Sequence, residues 1–243
     1  LGRGKPRRLS GLPASEVSSL ISWPAADGYL FLSGAALGVY SFTLDLTPPR
    51  AWFVSVPLLS TNKSTNLTFP LSWDGVDTLG PVQKFNIWYR YGGSSYWYNG
   101  LATAAKSGSF NKAGQGKTVY FKIKAQDVAG NWSSFTFSTT PTVVPLDDKN
   151  TRVKISGSWS QKTGLPGRFL GTGKKTGAKD AAFTVSFTGK RLWLIAAKGP
   201  KFGRFKVYID GQYLQTVDGY AATLKTRQTV FSRSWTETKT RTL

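Results

Sequence analysis

Between residues 51 and 140 apolar and polar side chains alternate with a period of two. In "LTFPLSWDG", Phe69, Leu71 and Trp73 fall on one face; in "KFNIWYRY", Phe85, Ile87, Tyr89 and Tyr91 do the same. In "TVYFKIKAQD", Val119, Phe121, Ile123 and Ala125 point one way, while Tyr120, Lys122 and Lys124 point the other. One apolar face at period two predicts half-buried antiparallel strands. Turn signals such as "DG", "YGG", "KAGQG" and "AGN" separate them at the spacing of a β-sandwich. Upstream, "YLFLSG" and "VYSFTLDL" have the length of strands and stop at "DLTPPR", where Pro48 and Pro49 cannot continue a central strand.

The alternation returns after the connector "TPTVVPLDDKN". In "AAFTVSFTG", Phe183, Val185 and Phe187 face in; "RLWLIAAKG" is a nearly continuous apolar strand. In "RFKVYIDG", Phe205, Val207 and Ile209 alternate against Arg204, Lys206 and Tyr208, and Asp210-Gly211 marks a tight hairpin. No long amphipathic helical pattern and no apolar run of transmembrane length occurs. The expected fold class is all-β, two antiparallel sandwiches in tandem. Residues 1–46 are expected to be a flexible start with two short strands that stop at an interdomain joint. A sandwich spans 47–140, a linker 141–151 and a second sandwich 152–243.

Composition narrows the chemistry. The 243 residues include no Cys and no His, which removes disulfides, thiolate metal sites, the commonest zinc ligand and the usual partner of a catalytic Ser. The net charge of +20 is unevenly spread: residues 147–243 hold nineteen cations against six acids. Such a balance attracts polyanions at long range. No helix-turn-helix, zinc-finger or RNP pattern accompanies it, so no specific nucleic-acid recognition is expected. The stretch "KGPKFGRF" lacks the Lys-Ser/Thr pair of a phosphate loop and leads into a strand. Most acids sit at turns, including Asp74, Asp77, Asp127, Asp210 and Asp218, where Asp bonds its own backbone. No catalytic pair and no cofactor are therefore expected. Asp127 and Asn131, flanking Gly130, are weak calcium candidates, because two oxygens do not fill a site.

The series "LSWDGVD", "GPVQKFNIWYRYGGSSYWYNG" and "GKTVYFKIKAQDVAGNWSS" resembles bacterial fibronectin type III-like modules over residues 60–138. Val119 takes the core-side place the family gives to Tyr, and Tyr120 faces outward. "FTLDLTPPR" is similar to the joint between tandem modules of that family, which implies that residues 1–46 are a flexible start and the tail of a preceding Ig-like module. The series "GSWS", "AFTVSFTGKRLWLIAAKGPKFGRFKVYIDGQYLQTVDGY" and "QTVFSRSW" resembles galactose-binding-like jelly rolls of secreted bacterial proteins, over residues 152–243. That family ends in a further strand, in whose place Arg241, Thr242 and Leu243 stand, leaving it incomplete.

The resemblance implies a noncatalytic, secreted or cell-surface fragment of a longer parent chain, a spacer followed by a jelly roll that binds carbohydrate or an anionic surface polymer. Its rivals are a purely structural stalk and a nonspecific polyanion or nucleic-acid binder. Candidate ligand-binding residues near loops of the second sandwich are Trp159, Phe169, Tyr213, Tyr220, Lys174, Lys175, Lys198, Lys201 and Arg204. Tyr96, Trp97 and Tyr98 form a candidate aromatic platform in the first.

Overall fold

The computed structural model describes residues 29–32, 40–43, 45–58 and 68–243; the expected flexible start at residues 1–28 lies outside them. The described residues hold eighteen strands, one short 3₁₀ turn at Phe169–Gly171 and no α-helix. The chain is all-β. It divides into two compact units between Val143 and Val144, with Gly114–Gly116 belonging to the second.

In the first unit β1 (Tyr29–Leu32) and β2 (Tyr40–Thr43) form an antiparallel pair. The remaining strands are β3 (Arg50–Ser55), β4 (Phe69–Val76), β5 (Val82–Tyr91), β6 (Tyr98–Thr103), β7 (Ser107–Phe110), β8 (Thr118–Asp127), β9 (Thr136–Phe137) and β10 (Thr142–Val143). They make a three-stranded sheet, β3-β4-β7, and a second sheet ordered β10-β8-β5-β6, with β9 also on β8. Thr142 and Val143, within the expected linker, thus continue a sheet.

The sheets face each other because the alternating residues of β4, β5 and β8 have nowhere else to hide. Val119, Phe121, Ile123 and Ala125 of β8 are all buried, as are Phe69, Leu71, Trp73, Phe85, Ile87 and Tyr89. Phe121 meets Phe69 edge-on at 6.1 Å and Phe110 at 5.1 Å, and Trp73 meets Phe85 at 6.4 Å, so aromatic edges knit the two faces. Trp73 hides its polar atom by donating Nε1–H to the Ala105 carbonyl at 2.9 Å. Beside β8 the chain pairs unusually: Ser133 Oγ accepts the Ala125 N–H at 2.9 Å while the Ser133 N–H donates to the Ala125 carbonyl at 2.9 Å. Hydroxyls here complete a ladder that the short β9 leaves open.

The second unit contains β11 (Lys154–Ser156), β12 (Ser160–Lys162), β13 (Gly173–Lys175), β14 (Ala182–Thr184), β15 (Ser186–Lys198), β16 (Arg204–Ile209), β17 (Gln212–Asp218) and β18 (Lys225–Thr242). All pair antiparallel, as β11-β14, β12-β13, β15-β18 and β16-β17. Asp210 (φ 51°) and Gly211 (φ 80°) join β16 to β17, the double positive φ of a type I′ turn. The hairpin expected from "IDG" is there. Val207, Val217 and Phe231 form its buried centre, with Leu192, Leu194, Phe205, Leu214, Val230 and Leu243 packed around them. The hairpin therefore lies against the long β15–β18 ribbon. That ribbon pairs through to Ser186 opposite Thr242, and Leu243 exchanges both backbone bonds with Val185 at 2.9 Å.

Candidate functional site

The open end of the β16–β17 hairpin gathers part of the residues expected to bind ligand. Two glycines make this possible. The Gly199 N–H donates to the Gly219 carbonyl and the Gly219 N–H to the Gly203 carbonyl, both at 3.0 Å. A Cβ on Gly219 would stand 2.8 Å from the Gly203 carbonyl oxygen, so only glycine allows the two loops to lie backbone to backbone.

The clasp brings Lys198, Lys201 and Arg204 to the same loop end as Tyr220. Phe202 (37% exposed), Tyr220 (58%) and Leu224 (60%) offer apolar surface there. Lys198 stands directly opposite Lys225 in the β15–β18 ladder, a like-charge pair that a sheet disfavours. One acid answers these four cations. Asp218 pairs with Arg204 (Nε to Oδ2, 3.1 Å) and accepts the Tyr220 N–H at 2.9 Å. That backbone bond first, then the Arg204 bond, hold its carboxyl below the usual aspartate value. Phe202, Leu224 and Lys225 were missed in the sequence; their only signal is closeness to the glycines of "GPKFG" and to "GYAATLK".

The other candidates lie elsewhere in the unit. Lys174 and Lys175 sit on β13, opposite Gln161 and Ser160. Lys174 spends its ammonium on the Asp148 carbonyl, and Lys175 is exposed. Trp159 is half-buried, bonded through Nε1 to the Ser156 carbonyl at 2.8 Å and edge-on to Phe183. Phe169 is half-buried in the 3₁₀ turn. Tyr213 lies near the closed end of the hairpin, against Tyr208 at 5.7 Å. So Lys198, Lys201, Arg204 and Tyr220 come together, and Trp159, Phe169, Tyr213, Lys174 and Lys175 do not join them.

In the first unit the aromatic platform is divided. Tyr96 and Tyr98 are exposed and meet at 4.7 Å, and Tyr98 stacks on Tyr89 at 5.2 Å. Trp97 belongs to another surface, a comb of rings and cations over β5 and β8. Arg90 lies 4.4 Å from the Tyr120 ring and 5.3 Å from Trp97. Lys122 lies 4.0 Å from Phe135 and 4.7 Å from Trp97, and Lys124 lies 4.3 Å from Trp132. Each outward cation expected on β8 is thus already over a ring. Burial first, then the charge of Lys124, hold Lys122 below the usual lysine value. This face answers its own charges. A cavity of about 180 Å³ between β6 and β7, lined by Trp73, Tyr89, Leu101 and Phe110, is smaller than the roughly 300 Å³ at which ligand sites begin.

Asp127 and Asn131 stand at the end of β8. Asp127 is wholly buried; its Oδ1 accepts the N–H groups of Gly130 (2.7 Å) and Asn131 (2.9 Å), the turn chemistry expected of it. Asn131 directs its Nδ2–H at Asp127 Oδ2 and at the Asp45 carbonyl, both at 2.9 Å. With that amide face it donates and does not ligate a metal. Compared with family models, curated proteins and solved structures, the chain matches none.

Proposed function

We propose that this chain is a noncatalytic pair of secreted or cell-surface modules, a fibronectin type III-like spacer followed by a galactose-binding-like jelly roll that binds an anionic carbohydrate or surface polymer. The two facing sheets of the first unit, of three and five strands, and the rings that lie over the cations of its outer face support the spacer reading. One observation carries the binding reading. Four cations, Lys198, Lys201, Arg204 and Lys225, share a loop end with a single acid, Asp218, and three exposed apolar side chains.

Carboxylates or sulfates on a polymer would relieve the Lys198–Lys225 repulsion, while sugar rings would lie on Tyr220 or Phe202. Charge draws the polymer in and the rings give preference among sugars. The absence of His and Cys leaves little acid–base or nucleophilic chemistry for an enzyme at this position.

The test is binding of the whole chain to polygalacturonate, heparin and neutral dextran, in EDTA, at low and high NaCl. Binding to one polyanion should survive high salt and fall at least about tenfold in Lys198→Glu/Lys201→Glu and in Tyr220→Ala. Equal binding to both polyanions that vanishes with salt and ignores Tyr220→Ala would replace this reading by nonspecific attraction. No binding at either salt would leave the stalk.

A further inference from the structure

Three carboxylates of the first unit converge. Asp45 comes from the segment leading into β3, Asp77 from the turn after β4, and Asp127 ends β8. Each brings an oxygen within 4.8 Å of the others. Local bonds aim all three. Asp45 Oδ1 accepts from the Thr47 N–H (3.1 Å) and hydroxyl (2.8 Å), and Asp77 Oδ2 from the N–H groups of Leu79 (3.2 Å) and Gly80 (2.9 Å). Asn131 ties the Asp45 carbonyl to Asp127 Oδ2.

Each of the first two carboxylates is thus fastened by one oxygen. The other oxygen, Asp45 Oδ2 and Asp77 Oδ1, is buried and has no hydrogen-bond partner. Buried acceptors without partners are costly, and three like charges this close are costlier still. Among the described residues the ion pairs Asp74–Lys106 and Asp218–Arg204 lie elsewhere.

We propose that Asp45, Asp77 and Asp127 bind a calcium ion. Two buried, unpartnered carboxylate oxygens beside the wholly buried Asp127 are the donors a hard divalent cation takes, with water completing the shell on the half-exposed sides of Asp45 and Asp77. Carboxylate donors alone suit neither zinc nor copper, which favour thiolate and imidazole. The ion fastens the segment before β3 to the ends of β4 and β8. It neutralises a repulsion that the folded unit otherwise carries.

The test uses the whole chain stripped with EDTA, titrated with CaCl₂ by calorimetry and by thermal unfolding. One equivalent should bind, and Ca²⁺ at ten times its Kd should raise the Tm of the first unit by about 5 °C. MgCl₂ at the same concentration should raise it less. Asp77→Asn and Asp45→Asn, which keep an oxygen for the local turn bonds, should each weaken Ca²⁺ binding at least about tenfold. In EDTA the same variants should melt no lower than the native chain, because they remove repulsion. Asp74→Asn, on β4 just before Asp77 but paired with Lys106, should leave Ca²⁺ binding unchanged. The proposal fails if 10 mM CaCl₂ (about tenfold above the weakest extracellular-module Kd) neither binds nor moves the Tm, or if binding persists in both variants. An equal response to Mg²⁺ would overturn the choice of calcium. Because the polymer test runs in EDTA, failure of either proposal leaves the other standing.

Discussion

The two units use similar strands to opposite ends. In the first, β8 alternates buried and half-exposed residues without a break, and its inner face carries four side chains that are almost entirely out of water. The cations on the outer face of β5 and β8, Lys84, Arg90, Lys122 and Lys124, lie over rings. In the second unit the buried apolar set is small, Val144, Val207, Ile209, Val217 and Phe231, and the sheets are two-stranded. Its charges mostly stand in solvent, and nineteen cations face only six acids. Aromatic residues explain the difference. A Phe or Trp that interlocks with the opposite sheet builds a core, and one that lies under a Lys silences a charge. The first unit does both. The second does neither at its loop end, where Tyr220 and four cations remain available.

Removing one core ring from each unit breaks the comparison most directly. Phe121 on β8 touches two rings of the opposite sheet, Phe69 and Phe110, and is 1% exposed, so Phe121→Ala should cost the first unit about 3–5 kcal/mol. Phe231, at 6% exposure in a thinner core, should cost the second about 2–4 kcal/mol when made Ala. Calorimetric unfolding of each variant of the whole chain reads both. Equal losses would mean the second core is as tightly packed as the first.

The first core was legible in the sequence because period-two patterning is set by the backbone: each side chain of β4, β5 and β8 named as inward is buried except Tyr91, which is half-buried. Val119 inside and Tyr120 outside also stand as read. The hairpin at Asp210-Gly211 was legible for an equally local reason, since few pairs tolerate two positive φ values. What the sequence hid is contact between distant segments. Asp45 and Asp127 are eighty-two positions apart, and nothing in either neighbourhood says that they meet. Trp97 was read as a free platform because its partners, Arg90 and Lys122, come from two other strands. Arg241 read as part of an unfinished strand, yet it is buried, 4.3 Å from the Trp235 ring, and donates to the Gly189 carbonyl at 3.0 Å.

A smaller perturbation sharpens the contrast by keeping the local cost equal. Gly93 in the loop after β5 (φ 83°) and Gly211 in the β16–β17 turn (φ 80°) both have open space where a Cβ would stand. Alanine at either position meets strain from the backbone alone, about 1–2 kcal/mol. Equal costs lower the Tm more in the unit with the smaller unfolding entropy. If the second unit is the less cooperative one, Gly211→Ala moves its Tm further than Gly93→Ala moves the first. The reverse order, measured in the same calorimetric scans, would show that its ribbon and hairpin unfold as one tight body.

The smallest effect lies at alkaline pH and belongs to the first unit. Lys122 has a folded pKa below its ordinary 10.5, through burial and then Lys124. The unfolded chain then binds more protons in that window, so stability rises as pH climbs toward 10.5. Tyr89 and Tyr91 have folded pKa values above their ordinary 10.0, each chiefly through burial. Their contribution is whole below pH 10.0 and is lost as pH rises through the folded values, because the unfolded tyrosines give up protons that the folded ones keep. The two trends oppose, and two tyrosines outweigh one lysine. The Tm of the first unit should therefore edge upward to a maximum near pH 10 and fall beyond it. Lys122→Gln should flatten the rise while keeping the fall. Tyr91→Phe, which also gives up the phenol's bond to the Lys112 carbonyl, should soften the fall while keeping the rise. Melting curves between pH 8 and 11.5 (from about two units below the tyrosine value to about one above the lysine value) separate the two limbs. A Tm that declines steadily across the whole range would mean that the rings over Lys122 impose no desolvation, and that the comb is open to solvent and to polyanions after all.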